Sequence, residues 1–281
     1  MESLKRKEQT VIVTGSSSGI GKDLCRVLVS KGYKVFGTVR SVNDACALSK
    51  EIGSGFEPLI LDVTIESQVL HARKQVENHL GGIKLCALIN NAGVATLGPV
   101  EHMPTPEFVA QIDTKVLGTF LCTKTFLPLL GTNRNLKGPA GRIVNISSIL
   151  GGKIGSPFMS AYCASKHAVE AFSESLRREL KSYGIKVVIV APGSISTPIW
   201  NTLKNHIGNA SFSDTEYHVS FNRVLKSLQQ FDKNSLPIGQ LSRVILRSIE
   251  TKNPKIRYTP TNDFSQKIWP YIPKKLMDFF F

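Results

Sequence analysis

The sequence predicts an α/β fold in which a doubly wound parallel sheet of about seven strands carries helices on both faces. Seven short runs rich in β-branched apolar residues do not alternate in polarity, which is typical of strands buried on both faces. Longer segments of helical period separate these runs, and parallel strands need such connections. The predicted strands cover residues 10–14, 34–39, 57–61, 85–90, 142–147, 186–191 and 255–259.

The composition is that of an ordinary globular chain, since 42% of the 281 residues are hydrophobic and 20% are charged. These values exclude the disordered and fibrous classes. No internal repeat and no low-complexity linker divides the chain, and single α/β domains often reach about 250 residues. We therefore expect one domain over residues 1–281.

The cysteine, histidine and charge patterns argue against several classes of protein. The five cysteines show no CxxC spacing and the six histidines form no HxxxH pair, so we expect reduced thiols and no metal site. The net charge of +14 is spread along the chain, which favours a solvated surface and no nucleic-acid partner. A basic protein that binds membranes or nucleic acid is the alternative. The start has no signal-peptide pattern and no apolar stretch reaches about 20 residues, so we expect a cytoplasmic protein.

Two long helices are predicted in the middle of the chain. Over residues 160–183, apolar side chains recur every four residues and Gly184 follows as a stop signal. A second helix is predicted over residues 106–130. The segment 198–231 has weak periodicity, which predicts an irregular insertion.

A glycine-rich turn directly follows the first predicted strand and precedes a helical pattern. This order forms a phosphate-binding unit, because a helix N-terminus offers free N–H groups and a positive dipole end. Gly15 permits a tight turn, Gly19 lets the backbone approach a pyrophosphate, and Gly21 permits close packing of helix and strand. The turn therefore predicts dinucleotide binding by Gly15, Ser17, Ser18, Gly19, Ile20 and Gly21.

The glycine pattern Thr14-Gly15-x-x-x-Gly19-Ile20-Gly21 resembles that of the short-chain dehydrogenase/reductase family, over about residues 9–200. Two further segments resemble the family's NNAG and PGxxxT motifs: Asn90-Asn91-Ala92-Gly93 and Pro192-Gly193-Ser194-Ile195-Ser196-Thr197. The resemblance implies a single Rossmann domain and hydride transfer between a nicotinamide and a carbonyl or alcohol, within a branch like the hydroxysteroid and retinol dehydrogenases. The coenzyme contacts it implies in these motifs are Asn90, Ala92, Gly93, Pro192, Gly193, Ile195 and Thr197.

Tyr162 and Lys166 are four residues apart and therefore share one face of the long helix. A free tyrosine has a pKa of about 10, and a nearby ammonium and the positive nicotinamide ring would lower it. We predict that Tyr162 is the catalytic acid and base and contacts the substrate, while Lys166 lowers its pKa and binds the nicotinamide ribose. By resemblance, both residues also contact the coenzyme.

Residues 141–148 form a predicted strand that ends in hydroxyl side chains and resembles the family's catalytic-serine strand. We assign Ser148 to polarise the substrate carbonyl by donating a hydrogen bond, an oxyanion-hole role. Ser147 is the alternative, and either serine could instead cap the loop that follows.

The end of the second strand is expected to select the coenzyme, because an acid there would hold a ribose 2′-hydroxyl and repel a 2′-phosphate. The sequence has Val39 at that place and Arg40 after it, and a guanidinium grips a phosphate in bidentate fashion. With Ser18 nearby, we predict NADP(H); the alternative is that Arg40 is a solvated charge. Asp62, followed by Val63, matches the family's adenine-contacting acid, although it could simply cap a turn.

Lys115 departs from the resemblance, because the family usually has Asn at this place, three residues before the glycine at Gly118. That Asn shapes a helix kink and a water path to the active-site lysine. A second cation near Lys166 would cost electrostatic energy unless its stem carries the charge outward. Lys115 therefore motivates an alternative function, a protein that binds NADP(H) as a sensor or scaffold with little turnover.

The segment 198–231 lies where the family forms a substrate lid, and it contains several aromatic residues, among them Trp200. Together with Phe158, these side chains predict a pocket for a lipophilic ketone or alcohol of steroid or retinoid type; ordinary core packing is the alternative. The extension 260–281 mixes aromatics with lysines and is expected to touch a membrane surface or to dock on the protein. By resemblance, helices 106–130 and 160–183 pair between subunits of a homodimer or homotetramer.

Overall fold

The computed structural model describes residues 9–197, 212–269 and 272–277. Its centre is a seven-stranded parallel sheet with the strand order β3-β2-β1-β4-β5-β6-β7. The strands are β1 Thr10–Val13, β2 Lys34–Val39, β3 Phe56–Ile60, β4 Ala87–Asn90, β5 Arg142–Ile146, β6 Lys186–Val190 and β7 Arg257–Tyr258. The order reverses between β1 and β4, which is where parallel α/β sheets open a ligand crevice.

Helices lie between consecutive strands, and two further short helices follow β7. They are α1 Gly19–Ser30, α2 Val42–Ile52, α3 Glu66–Leu80, α4 Thr105–Ile112, α5 Gly118–Leu127, α6 Ser160–Glu179, α7 His218–Lys233, α8 Ile238–Glu250, α9 Phe264–Ile268 and α10 Lys274–Met277. A π-helical turn, Asp113–Leu117, joins α4 to α5 without a break. One 3₁₀ turn, Leu180–Tyr183, continues α6 up to Gly184, whose φ of 71° ends the helix.

Neighbouring side chains of each strand point to opposite faces of the sheet and build two separate cores. Val11 and Val13 pack on the face covered by α1, α2 and α8. Ile12 lies on the face covered by α3, α5 and α6. Helices on both faces explain why the strands read as continuous apolar runs, and the predicted fold class is confirmed.

The predicted segments differ from the observed ones at two places. The last strand is only Arg257–Tyr258, because this edge strand pairs on one side alone, with Ile189 and Val190. The prediction of an irregular insertion over 198–231 is wrong for its second half, where α7 forms. Phe221, Leu225 and Leu228 have the spacing of one helix face, and the buried Phe221 anchors that helix to the protein.

All five cysteines are free thiols. The described residues contain no helix long and apolar enough to cross a membrane. Within the same ranges, no group of His, Cys, Asp and Glu is arranged to hold a metal ion.

Candidate active site

A cleft of about 480 Å³ opens at the carboxyl ends of the strands. It brings together most of the residues that the sequence motifs single out: Gly15, Ser17, Ser18, Gly19, Ile20, Arg40, Asp62, Val63, Ala92, Gly93, Ser147, Ser148, Tyr162, Lys166, Pro192, Gly193, Ile195 and Thr197. The walls also include residues that the sequence analysis did not single out, among them Thr38, Leu61, Asn91, Val94, Ala95, Thr114 and Ile146.

The glycine turn that lines the cleft has a backbone that only glycine adopts easily. Gly15 and Gly19 have φ values of 68° and 54°, in the left-handed region. A Cβ atom at Gly15 would lie 2.7 Å from the Cα of Ala92, so even an alanine would collide with the chain after β4. The backbone N–H of Gly15 donates to Thr38 Oγ1 at 2.9 Å, which ties the turn to β2.

Thr14 and Asn91, which the motif analysis left without a role, hold the same turn from the other side. Thr14 Oγ1 accepts hydrogen bonds from the backbone N–H groups of Asn91 and Ala92 at 2.9 and 3.0 Å. The Asn91 amide donates to the carbonyls of Thr14 and Gly15, both at 3.0 Å. Gly21 packs beneath the turn, against the Gly15 carbonyl, and does not line the cleft.

One end of the cleft is polar and open. Ser17, Ser18 and Arg40 are exposed there, and the Ser18 side chain makes no capping hydrogen bond in the first turn of α1. Val39, which stands where an acid would select NAD(H), is buried. This end of the cleft therefore has two hydroxyls and a guanidinium beside a helix N-terminus, and Asp62 also lines the cleft.

Asp62 caps a turn and also lines the cleft. Its Oδ1 accepts hydrogen bonds from the backbone N–H and the hydroxyl of Thr64, at 2.9 and 2.7 Å, so it caps the turn after β3. The residue nevertheless lines the cleft, as does Val63 beside it.

The predicted coenzyme contact by Asn90 is not supported by the position of its side chain. Asn90 is buried and donates to Asn145 Oδ1 at 2.8 Å and Thr123 Oγ1 at 3.2 Å, and it does not line the cleft. The reason is the alternation of β4, since Leu88 packs under α3, α5 and α6 and Asn90 is two residues further on. The cleft is lined instead by Asn91.

Tyr162 and Lys166 project from the first turns of α6 toward Ser148, which follows β5. The Lys166 ammonium donates to the carbonyl of Ile146 at 2.7 Å and lies 5.9 Å from the centre of the Tyr162 ring. Burial raises the pKa of Tyr162, and a hydrogen bond with Ser148 opposes that rise. Burial lowers the pKa of Lys166 to about 8, against the opposing charge of Glu170.

The two candidate serines have different environments. Ser147 donates its hydroxyl proton to Glu170 Oε1 at 2.8 Å, and Glu170 is paired with Arg257 at 3.1 Å. Arg257 also donates to the carbonyl of Ser148 at 3.3 Å. Both serines line the cleft, but the Ser147 hydroxyl is engaged by Glu170, whereas the Ser148 hydroxyl forms a hydrogen bond with Tyr162.

The Glu170–Arg257 pair was missed by the sequence analysis. Glu170 is four residues after Lys166 on α6, and this spacing in the sequence indicates that the two charges interact. Arg257 is 87 residues away along the chain and reaches Glu170 only because β7 completes the sheet beside β6.

Lys115 lies in the π-helical turn and its side chain does not reach solvent, being 2% exposed. Its ammonium nitrogen lies 4.4 Å from the centre of the Tyr162 ring and donates to Gln111 Oε1 at 2.9 Å. Burial, and then the charge of Lys166, lower the pKa of Lys115 to about 6. The stem does not carry the charge outward, so the electrostatic cost is avoided by loss of the proton near neutral pH.

The PGxxxT segment is held by the chain that follows it. Leu236 exchanges backbone hydrogen bonds with Ser194 and Ser196 at 2.9 and 3.2 Å. The backbone N–H of Gly193 donates to the carbonyl of Pro260 at 3.0 Å, and the buried Gln266 of α9 packs against Gly193. Part of the extension 260–281 is therefore docked on the cleft wall.

Aromatic side chains gather beyond Tyr162. Phe158 lies 5.1 Å from Phe221 and 6.3 Å from Tyr217, and Phe212 lies 4.8 Å from Phe221, measured between ring centres. We call Phe158, Phe212, Tyr217 and Phe221 the aromatic cluster. Phe158 does not itself line the cleft, and Trp200 lies outside the described residues. Between the cluster and the cleft, Leu97, Met159 and Cys163 form a small apolar core that packs against Tyr162.

Comparison with known proteins gives consistent results. The family model described as short chain dehydrogenase matches residues 9–208. The chain is 35% identical to an NADPH-dependent 3-dehydrocapnine reductase of Ornithobacterium rhinotracheale, over 95% of this chain and 94% of that protein. It is 32% identical to retinol dehydrogenase 16 of Mus musculus, over 97% and 87% of the two chains.

A solved structure, a metagenomic short-chain oxidoreductase in complex with NADP, superposes with a TM-score of 0.68. The two chains are 25% identical, and the match covers 90% of this chain and 98% of that one. The family match spans the glycine turn, Ser148, Tyr162 and Lys166, which the fold brings into one cleft. The chain therefore belongs to the short-chain dehydrogenase/reductase family of oxidoreductases.

Proposed function

We propose that the protein transfers a hydride between NADP(H) and a lipophilic ketone or alcohol. The observation that carries this proposal is the convergence of Ser148, Tyr162 and Lys166 on the same cleft as the glycine turn. A proton donor, a hydrogen-bond donor and an amine thus face the place where a bound nicotinamide would meet a carbonyl. Membership of the family already makes the protein an NAD(P)-dependent oxidoreductase that acts on CH–OH groups.

The residues of the cleft fit a dinucleotide. Gly15 lacks the Cβ that would fill the space next to Ala92, and the first turn of α1 points its N–H groups at the glycine turn. Ile195 and Thr197 line the same cleft and would hold the nicotinamide carboxamide, and Lys166 would hold its ribose. We assign coenzyme binding to these residues and to Ser17, Ser18, Gly19, Ile20, Arg40, Asp62, Val63, Ala92, Gly93, Tyr162, Pro192 and Gly193.

The open end of the cleft favours NADP(H) over NAD(H). Arg40 is the exposed cation there, and no carboxylate replaces the buried Val39 to repel a 2′-phosphate. Two of the similar proteins, the 3-dehydrocapnine reductase and the metagenomic oxidoreductase, are named with NADPH and NADP.

In the reduction direction, bound NADPH supplies the hydride. Tyr162 donates its proton to the substrate oxygen, since burial keeps the phenol protonated until that moment. The Ser148 hydroxyl donates a hydrogen bond to the same oxygen as negative charge develops on it. The Lys166 ammonium, fixed by the Ile146 carbonyl, stabilises the phenolate that Tyr162 becomes.

The surroundings of Tyr162 support a lipophilic substrate. The apolar core of Leu97, Met159 and Cys163 packs against Tyr162, and Phe158 of the aromatic cluster directly precedes Met159 in the chain. The first turn of α7 carries Phe221 at this place and Tyr217 directly precedes the helix, which supports the segment 198–231 as a substrate lid. Retinol dehydrogenase 16 is named for a lipophilic alcohol.

The function is tested by titrating the purified protein with NADPH and with NADH and then offering steroid, retinoid and long-chain aliphatic ketones. We expect tighter binding of NADPH and oxidation of NADPH with at least one lipophilic ketone. Tight binding of NADPH without oxidation by any of them would instead support the sensor function. Preference for NADH would contradict the role of Arg40.

We also propose that the protein forms a homodimer or homotetramer through α4 to α6. Four apolar side chains are each about 40% exposed there: Phe108, Val109, Leu117 and Phe120. The ring centre of Phe120 lies 6.4 Å from that of Phe172 on α6. Such a continuous apolar surface on two neighbouring helices favours a partner of the same kind. Light scattering of the wild type and of Phe120→Glu tests this, and an unchanged mass would contradict it.

The extension 260–281 is proposed as a second contact surface. Phe264 is 71% exposed and Leu276 51%, while Gln266 anchors α9 to the cleft wall. Exposed apolar side chains beside lysines fit a membrane interface. Flotation with anionic vesicles tests this contact, and no difference between the wild type and Phe264→Ser would contradict it.

A further inference from the structure

Lys115 is a buried amine beside the proposed catalytic tyrosine. It lies in the π-helical turn Asp113–Leu117, a rare geometry that inserts an extra residue into a helix and is frequent at functional sites. The turn places the Lys115 nitrogen over the face of the Tyr162 ring at 4.4 Å from its centre, closer than the Lys166 nitrogen at 5.9 Å. Tyr162 is thus flanked by two amines.

The neighbours of Lys115 on α4 and in the segment after β4 are uncharged, so they do not stabilise a positive charge on its amine. Gln111 of α4 accepts its hydrogen bond, and Gln111 in turn donates to the carbonyl of Thr96 at 3.4 Å. The segment after β4 adds Gly93, which is uncharged and lies against the Lys115 stem. No carboxylate within the described ranges forms an ion pair with Lys115.

Three titratable groups of α6 act on Lys115. They are the phenol of Tyr162, the ammonium of Lys166 and the thiol of Cys163. Burial disfavours a charge on Lys115, and the charge of Lys166 adds to that effect, so that the pKa of Lys115 lies near 6. The charge that would change most during a reaction at this site is that of Tyr162.

We propose that Lys115 compensates the charge of Tyr162, taking up a proton when the phenol gives one away. This rests on the proposed function, in which the substrate oxygen receives the Tyr162 proton. The phenolate then attracts a positive charge over its ring, and Lys115, which is nearly buried but lines the cleft, binds a proton that enters through the cleft and becomes an ammonium. When Tyr162 is reprotonated, Lys115 releases its proton again, so no net charge is stored over the cycle.

The two lysines are therefore assigned different roles. The Lys166 ammonium donates to the Ile146 carbonyl, and although burial lowers its pKa to about 8, the charge of Glu170 favours its protonated form. Lys115 has only a neutral amide as its partner and changes protonation with its neighbour. We class Lys115 as a positioning residue, because it acts through Tyr162.

The direct test is the ionisation of Tyr162 in the NADP⁺-loaded protein. Tyrosinate absorbance is titrated in each variant, and the same titration in a Tyr162→Phe background is subtracted so that only Tyr162 is observed. Lys115→Met removes the amine and Lys115→Arg keeps a permanent charge. Lys124→Met is the matched control, since Lys124 is an exposed lysine on the next helix.

We expect the pH at which Tyr162 is half ionised to be lowest in Lys115→Arg, intermediate in the wild type and highest in Lys115→Met. Successive proteins in this order should differ by about one pH unit. Lys124→Met should match the wild type. The pH profile of alcohol oxidation should shift in the same order, because oxidation needs the phenolate. The affinity for NADP⁺ should change less than about threefold.

Equal midpoints in all four proteins would overturn the role of Lys115. If Lys115→Met does not fold, a Lys115→Arg midpoint equal to or above that of the wild type would overturn it as well. Failure of the proposed function has a different signature, namely undiminished turnover in Tyr162→Phe. The two outcomes are thus distinguishable.

Discussion

The two ends of the cleft are stabilised by different means. Around the glycine turn, neutral backbone and hydroxyl groups make the contacts: Thr38, Thr14 and Asn91 bind the turn at 2.9 to 3.0 Å. Around Tyr162, ionisable groups make the contacts. The charges of Lys166, Lys115 and Glu170 shift one another's pKa or interact with the phenol. The first end depends on shape and should be insensitive to pH, whereas the second depends on charge and should respond to it.

The largest effect is expected for Gly15→Val. The side chain would meet the backbone of Ala92, and valine does not adopt a φ of 68° without strain. We expect NADPH affinity to fall by more than about 100-fold and the free energy of unfolding to fall by about 2 kcal/mol or more. Isothermal titration and urea denaturation measure the two. Gly155→Val, at an open position, is the control, and equal affinity in both variants would contradict the tight fit of the turn.

The next largest effect distinguishes the two serines. Ser148→Ala should lower kcat by about 10² to 10³-fold, because it removes the hydrogen bond to the developing oxyanion. Ser147→Ala should lower kcat less than about tenfold, since its hydroxyl contacts Glu170 rather than substrate. Steady-state kinetics with a saturating ketone measure both, and a reversed order would transfer the polarising role to Ser147.

Coenzyme selection should depend on Arg40. Replacement by alanine removes a charge-assisted bond to a 2′-phosphate, which is worth about 1.5 to 3 kcal/mol. We expect Arg40→Ala to weaken NADPH binding about 10 to 100-fold and to leave NADH binding within about twofold. A parallel loss for both coenzymes would mean that Arg40 acts on the fold of the strand end and not on the phosphate.

The smallest effect concerns the charge behind Lys166. Glu170 raises the pKa of Lys166, so Glu170→Gln should lower it, and Lys166 should lose its proton at a lower pH. The alkaline limb of the activity profile should therefore move toward lower pH, by less than about one unit. Glu174→Gln, which breaks only the exposed pair with Arg178, should leave the limb in place. No shift in either variant would contradict the coupling.

The sequence predicted best what depends on the local chain. The strands and the glycine turn were predictable because apolar runs and glycine spacing encode backbone shape directly, as in Val11 to Gly15. The helix α6 was predictable because its apolar residues have a regular period. The same period places Tyr162 and Lys166 on one face without reference to the rest of the fold.

Features that depend on long-range packing were not predictable in the same way. The motif did not show that Asn90 points under the helices, which follows only from the face that Leu88 occupies. The Ser147–Glu170–Arg257 contact joins three distant segments. The burial of Lys115 comes from the π-helical turn, and a helical pattern with an inserted residue looks regular in the sequence.

The most direct test of the contrast between the two ends is the variant Tyr162→Phe. Binding of NADPH and the rate of its oxidation by ketone in a single turnover are measured on the same sample. We expect the dissociation constant to stay within about threefold of the wild type and the rate to fall by about 10² to 10⁴-fold. A rate equal to that of the wild type would contradict the assignment of Tyr162 as the acid, and with it the proposed mechanism.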